Sequence, residues 1–309
     1  MKTSLFRACF ALLLVAGFSI SNSCSAESHC PDSIPSLHPR IVAGALLVVP
    51  VRINHLGPFD FMVDTGSQLN VIDPSLAARL NLKSQGTVGL VATNSYSQAT
   101  VAVLESLETG PYTVEKPLVV VQDLGSVQGA DPLIRGVLGE EFLSHFDVLF
   151  DYVHRVLCLD STGIMQTGLR GDHIPLVPPK RPESELQFSP RLVVSVNLSA
   201  TGSRPILLQL DSGSDGPILY PSDGELEQSL LKRAKPRESE LGEARQAFAS
   251  LPPQEMRIGT RILRKVQFVT PVRAAQKIPD REENGILATA LFERLFISHT
   301  GNFIILDPK

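Results

Sequence analysis

Two stretches of this chain repeat one pattern of apolar and polar positions. In the first, the apolar strand Pro58-Phe-Asp-Phe-Met-Val runs into the polar turn Asp64-Thr-Gly-Ser, and the apolar pair Val71-Ile72 and Pro74 follow. In the second, 147 residues on, Pro205-Ile-Leu-Leu-Gln-Leu runs into Asp211-Ser-Gly-Ser, and Ile218-Leu219 and Pro221 follow. The copies align without a gap, and each predicts a strand, a turn and a strand. A second pair of blocks aligns as well: Gly136-Val-Leu-Gly-Glu-Glu-Phe-Leu-Ser-His-Phe-Asp-Val on Gly285-Ile-Leu-Ala-Thr-Ala-Leu-Phe-Glu-Arg-Leu-Phe-Ile. Each copy closes on an apolar strand, Arg155 to Leu159 and Asn302 to Leu306. From Asp64 to Gly139 is 75 residues and from Asp211 to Ala288 is 77, so the blocks stay in register within one duplicated unit. A lone Asp-Thr/Ser-Gly arises by chance about once in several chains of this size and is weak evidence; two in register are strong.

Between these blocks the pattern changes. Pro74-Ser-Leu-Ala-Ala-Arg-Leu predicts a short helix. Ser84 to Leu104 alternates polar and apolar residues around Thr93-Asn-Ser, which predicts a hairpin with Tyr96 near its tip, either a flap over a cleft or a plain surface hairpin. Pro178 to Pro190 is polar and Pro-rich and predicts a surface segment. The charged stretch Glu225 to Gln246, with Lys232-Arg-Ala-Lys-Pro-Arg237, predicts solvated helix and loop, with a basic binding patch the weaker alternative.

At the N-terminus, Lys2 and Arg7 precede an apolar run, Ala8 to Ile20, with the small residues Ser21, Ser23, Ser25 and Ala26 behind it. That is a secretory signal with cleavage expected after Ala26; the run is too short for a spanning helix of roughly 20 residues. Lipid anchoring at Cys24 is the weaker alternative, because Ser21 stands where an aliphatic residue is usual. The expected organisation is a signal peptide over 1–26, an N-terminal segment over 27–40, and two lobes over 41–162 and 163–309, each with its own turn.

Composition narrows the class. In 309 residues, 28 Lys and Arg against 32 Asp and Glu leave a net charge of −4, too balanced for a partner of nucleic-acid backbones. Twenty-two Gly, 23 Pro and few aromatics suit short strands and many turns, so an all-β fold with short helices is expected. Cys30 and Cys158 outlast signal cleavage and either pair or leave Cys158 as a plain core residue; spacing does not decide. The seven His are scattered without ligand spacing, and no Gly-x-Ser-x-Gly elbow or Gly-rich phosphate loop is present. No metal and no cofactor is expected.

The duplicated motif, with the short helix and the Phe-Leu-x-x-Phe-Asp segment after Gly139, resembles the retropepsin-like and pepsin-like aspartic proteases in their single-chain, two-lobed form. The resemblance covers nearly all of 41–160 and, more loosely, 172–309. It implies two homologous β lobes, one catalytic Asp from each, here Asp64 and Asp211, and an extended peptide or protein substrate between them. It also implies that the Thr65 and Ser212 hydroxyls clamp the two turns together. Gly66 and Gly213 are expected to allow close approach, and Ser67 and Ser214 to support the neighbouring carboxyls. One departure stands out: Ala288 occupies a place where the family has Gly.

The chemistry follows from the residues. With no activated Ser or Cys in view, hydrolysis of an amide needs a water activated by general base catalysis. Two carboxyls within about 3 Å cannot both ionise and share one proton, a property taken over from known acid proteases. The ionised member draws a proton from the water, and the protonated one hydrogen-bonds the scissile carbonyl. The expectation is an exported, monomeric aspartic endopeptidase without a membrane span. A catalytically silent peptide-binding or signalling module on the same fold is the alternative.

Overall fold

In a computed structural model of the chain, the residues described are 30–31, 34–91, 96–178, 189–220, 232–237, 248–272 and 282–308. The expected signal segment, Cys24 and most of the charged and Pro-rich stretches lie outside them. The fold is nearly all β, with a few short helices, as the composition and alternation predict.

Duplication is visible in the sheets. The first half forms a large sheet in the order Gly86–Val91, Tyr96–Val103, Leu118–Val121, Asn70–Ile72, Ile134–Leu138, Leu56–Val63, Leu46–Ile53, Ser106–Thr109 and Tyr112–Glu115. The second half repeats that order with Lys235–Arg237, Phe248–Ser250, Val269–Pro271, Ile218–Leu219, Gly285–Ala288, Ile206–Asp211, Val193–Leu198, Gln254–Ile258 and Arg261–Val266. The expected loop around Lys232–Arg237 therefore needs correction. Lys235–Arg237 is an edge strand, paired antiparallel with Phe248–Ser250, at the place the Gly86–Val91 strand holds in the first half. An edge strand needs only one hydrogen-bonded side, so it tolerates Lys, Pro and Arg.

A third sheet of six strands joins the halves, in the order Ser36–Leu37, Val156–Asp160, Asp147–Asp151, Arg294–Ser298, Phe303–Leu306 and Ile174–Pro175. Its central pair, Asp147–Asp151 and Arg294–Ser298, is antiparallel and centred on Leu149 opposite Phe296. These strands lie 147 residues apart, so the gapless alignment of the second blocks, at 149, holds at Gly139 and Ala288 but breaks before the strands, where the second half is two residues shorter. The sequence duplication is thus a local two-fold axis in space. Its four inner strands are buried except at Arg294, which explains why they read as largely apolar runs. One face packs into the main core, which draws on both halves, from Leu37 to Leu306. On the other, Leu149, Cys158, Met165, Phe296 and Ile305 form a separate cluster, where Cys30 and Cys158 are joined in a disulfide. Cys158 is therefore paired as well as buried.

The predicted short helix spans Pro74–Arg79. Its start is set by Asp73, whose carboxylate accepts from the N–H groups of Ser75 at 2.9 Å and Leu76 at 3.0 Å, with Pro74 in the first turn. Arg135 Nε, 2.6 Å away, pairs with the same carboxylate and fixes the helix to the strand entering Gly136.

Candidate active site

Each half delivers its Asp on the same construction. Asp64 follows the Leu56–Val63 strand, whose C-terminal end pairs in parallel with Ile134–Leu138, and Asp211 ends Ile206–Asp211, paired in parallel with Gly285–Ala288. On the far side of Ile134–Leu138 and Gly285–Ala288 runs the short strand that leaves the turn, Asn70–Ile72 or Ile218–Leu219, paired antiparallel. Packing this tight excludes a side chain at the crossing. A Cβ on Gly136 would lie 2.6 Å from the Val71 carbonyl oxygen, and one on Gly285 would lie 2.0 Å from that of Ile218.

Across the local two-fold the turns meet. The Thr65 N–H donates to Ser212 Oγ at 3.0 Å, and the Ser212 N–H donates to Thr65 Oγ1 at 3.1 Å. Thr65 Oγ1 donates on to the Leu210 carbonyl at 3.2 Å, and Ser212 Oγ to that of Val63 at 2.9 Å. Both side chains are 1% exposed, so the four bonds are shielded from water and each hydroxyl is satisfied as both donor and acceptor. Gln209, from the second half, adds a fifth bond from its Nε2 to the Gly66 carbonyl at 2.9 Å.

Held this way, Asp64 and Asp211 are hydrogen-bonded to one another. Each carboxylate also accepts the N–H two residues on, Gly66 at 2.8 Å and Gly213 at 2.7 Å. Ser67 and Ser214 support the carboxyls through the backbone and not through their hydroxyls. Their hydroxyls turn back to the Leu69 and Gly216 carbonyls, both at 2.7 Å, and their backbone N–H groups are what reach the carboxyls. A serine hydroxyl in a tight turn finds a carbonyl of its own turn closer than the acid.

Electrostatics separates the two acids. Burial pushes Asp64 up from the usual carboxylate range, and the hydrogen bond from Asp211 and the backbone N–H groups oppose the shift. Asp211 stands well above that range, first through burial and then through the charge of Asp64 and the hydrogen bond they share. Two acids so placed resist ionising together, and their titration belongs to the pair and not to either residue.

Ala288 fits without disturbing the dyad. In the first half a Cβ on Gly139 would lie 2.3 Å from the Leu69 carbonyl oxygen, because the next N–H groups, of Glu140 and Glu141, bond to the Ser67 and Gln68 carbonyls. Among the described residues no such bonds join Thr289 or Ala290 to the second turn, and the Ala288 methyl is 1% exposed in the space this leaves. Tyr96 opens the second strand of a hairpin, opposite Val91; the hairpin tip lies outside the described residues. Sequence reasoning passed over Gln209, Asn70, whose Oδ1 accepts the Gly139 N–H at 3.0 Å, and the buried pair Glu140 and His299. For Gln209 a signal existed: it is the polar residue of an apolar strand at the place where the other copy has Met62.

An all-β fold with paired Asp-Thr/Ser-Gly turns on a local two-fold is the architecture of the acid proteases. Residues 49–142 match the aspartyl protease family model, so over that segment the chain is similar to the aspartyl proteases; the second turn, at Asp211, lies outside the match. A crystal structure of a retropepsin-like aspartic protease from Rickettsia conorii is similar over 40% of this chain and 88% of that one, at 20% identity and a TM-score of 0.30. No curated protein matches the chain significantly.

Proposed function

We propose that the protein is an exported aspartic endopeptidase that hydrolyses peptide bonds with a water activated between Asp64 and Asp211. The observation that carries the reading is the reciprocal packing of the two turns, in which each carboxyl rests against the other turn's glycine and the two share a hydrogen bond. With substrate bound, the ionised acid holds the water and the protonated acid faces the carbonyl oxygen of the scissile bond. As the water attacks, its proton passes to the ionised acid while the protonated one gives its own to the developing oxyanion; the first acid then protonates the amine nitrogen and the second takes back a proton from the geminal diol as the C–N bond breaks, which restores one proton to the pair. No cofactor enters these steps, and both acids come from one chain, so a monomer suffices.

Export is supported by the apolar N-terminal run and by the Cys30–Cys158 disulfide, a bond that persists in oxidising compartments. No helix among the described residues is long and apolar enough to cross a membrane. The substrate class proposed is an extended peptide or unfolded protein.

The test is incubation of the purified protein with an unfolded protein from pH 3 to 7, beside Asp64→Asn and Asp211→Asn, with the products read by mass spectrometry. Internal cuts by the wild type alone are expected. Equal cleavage by all three proteins overturns the reading, and a peptide bound without product at any pH would favour the silent module.

A further inference from the structure

Behind the dyad, each half sends a residue from its strand end to the other half's active-site loop. Glu140 and Thr289 occupy the same place in the repeat, directly after Gly139 and Ala288. Tyr152 and His299 are also equivalent, 147 residues apart, each just after its strand, Asp147–Asp151 or Arg294–Ser298. They cross over: His299 Nε2 lies 2.8 Å from Glu140 Oε2, and the Tyr152 hydroxyl lies 2.5 Å from Thr289 Oγ1. The arrangement is two-fold in geometry and unequal in chemistry. The dyad has an ionisable pair behind Asp64 and a pair of neutral hydroxyls behind Asp211.

The ionisable pair is costly to keep. Glu140 is 1% exposed and the His299 side chain 9%. The other ring nitrogen of His299 lies 2.6 Å from the Phe146 carbonyl oxygen, so it carries a hydrogen, and one further proton lies between Nε2 and the carboxyl. The pair is therefore neutral as a unit. Glu140 Oε1 is buried without a hydrogen-bond partner among the described residues, a penalty that an apolar side chain would avoid. Two other acids act on the pair: Asp64, which acts on Glu140, and Asp147, which acts on His299. The Asp147 carboxylate is itself taken up by donors from Ser298 and Thr300. Glu140 is also fastened to the active-site turn, since its N–H donates to the Ser67 carbonyl at 2.8 Å.

We propose that Glu140 and His299 are positioning residues for the dyad: a buried acid–base pair that holds the charge behind Asp64 at zero and so sets the pH range in which the two aspartates keep their single proton. The proposal rests on the peptidase reading. Its physics is that charge interactions in a buried site are weakly screened. Burial works against a charged ring, yet the hydrogen bond and charge of Glu140 outweigh it and His299 holds its proton above the ordinary imidazole range. Burial likewise raises Glu140, against the pull of His299. Remove Glu140, and at acid pH a positive ring remains near Asp64 and favours its ionisation. Remove His299, and at neutral pH a bare carboxylate remains and opposes loss of the dyad's last proton.

The experiment is the pH–rate profile of proteolysis for the wild type, Glu140→Gln, His299→Gln and the double variant. Glu140→Gln is expected to move the acid limb to lower pH, and His299→Gln the alkaline limb to higher pH, each by about 1 unit. The uncharged double variant returns both limbs to the wild-type positions. A merely structural role would lower rates with the limbs unmoved, and unmoved limbs in both single variants overturn the proposal. Should the single variants fail to fold, NMR titration of the His299 ring decides. Coupling is reciprocal, so the ring's midpoint falls when Asp64→Asn and Asp211→Asn together remove the dyad's charge; an unchanged midpoint overturns the proposal. Absence of wild-type cleavage at every pH would defeat the peptidase reading instead, and the NMR comparison would still test the coupling.

Discussion

A Cβ built on Gly66 would stand 2.5 Å from the carboxyl carbon of Asp211, and one on Gly213 would stand 2.5 Å from that of Asp64. Neither glycine is there for its backbone angles, since neither has a positive φ. Each is there because the opposite acid occupies the space a methyl group would need. The motif's glycine is thus a statement about the other half of the molecule.

Gly66→Ala and Gly213→Ala follow directly. The atoms in the way are the ends of Asp side chains, which can swing aside, so both variants fold with melting temperatures near the wild type's. The displaced carboxyl no longer meets its partner, and proteolysis drops by about 100-fold or more, the usual worth of a positioned acid or base. Thermal melts beside steady-state rates check this. An active alanine variant would mean that the carboxyls need no such contact.

Much of this could be read along the chain. The repeat at 147 residues foretold the paired turns, and the register of Leu149 opposite Phe296 is that repeat expressed as a symmetry axis. What stayed hidden lies across the axis. Glu140 and His299 are 159 positions apart and follow no period, because their meeting depends on how two halves dock, which no local pattern encodes. The second half's outer hairpin was obscured for another reason. Lys235–Arg237 forms an edge strand, and edge strands select against the apolar alternation by which strands are recognised. The Cys30–Cys158 bond needed the fold to bring residues 128 apart in sequence together.

That disulfide ties the start of the described chain to the Val156–Asp160 strand, in the sheet that joins the halves. Cys30→Ser with Cys158→Ser is expected to cost roughly 2–5 kcal/mol and lower the melting temperature by about 5–15 °C. At 25 °C proteolysis remains close to the wild-type rate, because no bond of the site passes through either cysteine. Melts and rates with and without reductant give the comparison. Activity lost well below the melting transition would show that the bond reaches the site.

Asp73 carries three duties at once: it caps the Pro74–Arg79 helix, binds the Ser75 hydroxyl at 2.6 Å and pairs with Arg135. Asp73→Ala leaves two helix N–H groups and a half-buried guanidinium without their acceptor. A loss of about 2–3 kcal/mol is expected. Asp73→Asn keeps one cap acceptor and loses less. Urea unfolding ranks the variants, and an equal loss from both would mean that charge, not capping, dominates.

Asp211 makes stability depend on pH in the opposite sense to Asp73. Burial and the nearby Asp64 hold its proton far more tightly in the folded protein than in the unfolded chain, where an Asp titrates near ~3.9. Its contribution is therefore complete below that pH and is lost as pH rises through the folded value. For Asp73, burial favours the acid form, but the bonds from Ser75 and Arg135 prevail and its folded value is lowered. Its contribution is present above the unfolded value and is lost as pH falls through the folded one. Asp211→Asn abolishes the first dependence alone. Relative to the wild type, it should gain at least about 1 kcal/mol between pH 4 and pH 7, since each pKa unit corresponds to about 1.4 kcal/mol. Asp73→Asn should instead lose ground over the same interval only to the extent that its carboxylate is still titrating there, which a lowered value makes slight. Urea unfolding at the two pH values measures both differences. Parallel pH dependence in the wild type and Asp211→Asn would mean that Asp211 releases its proton as readily folded as unfolded, and the two acids would then share no proton.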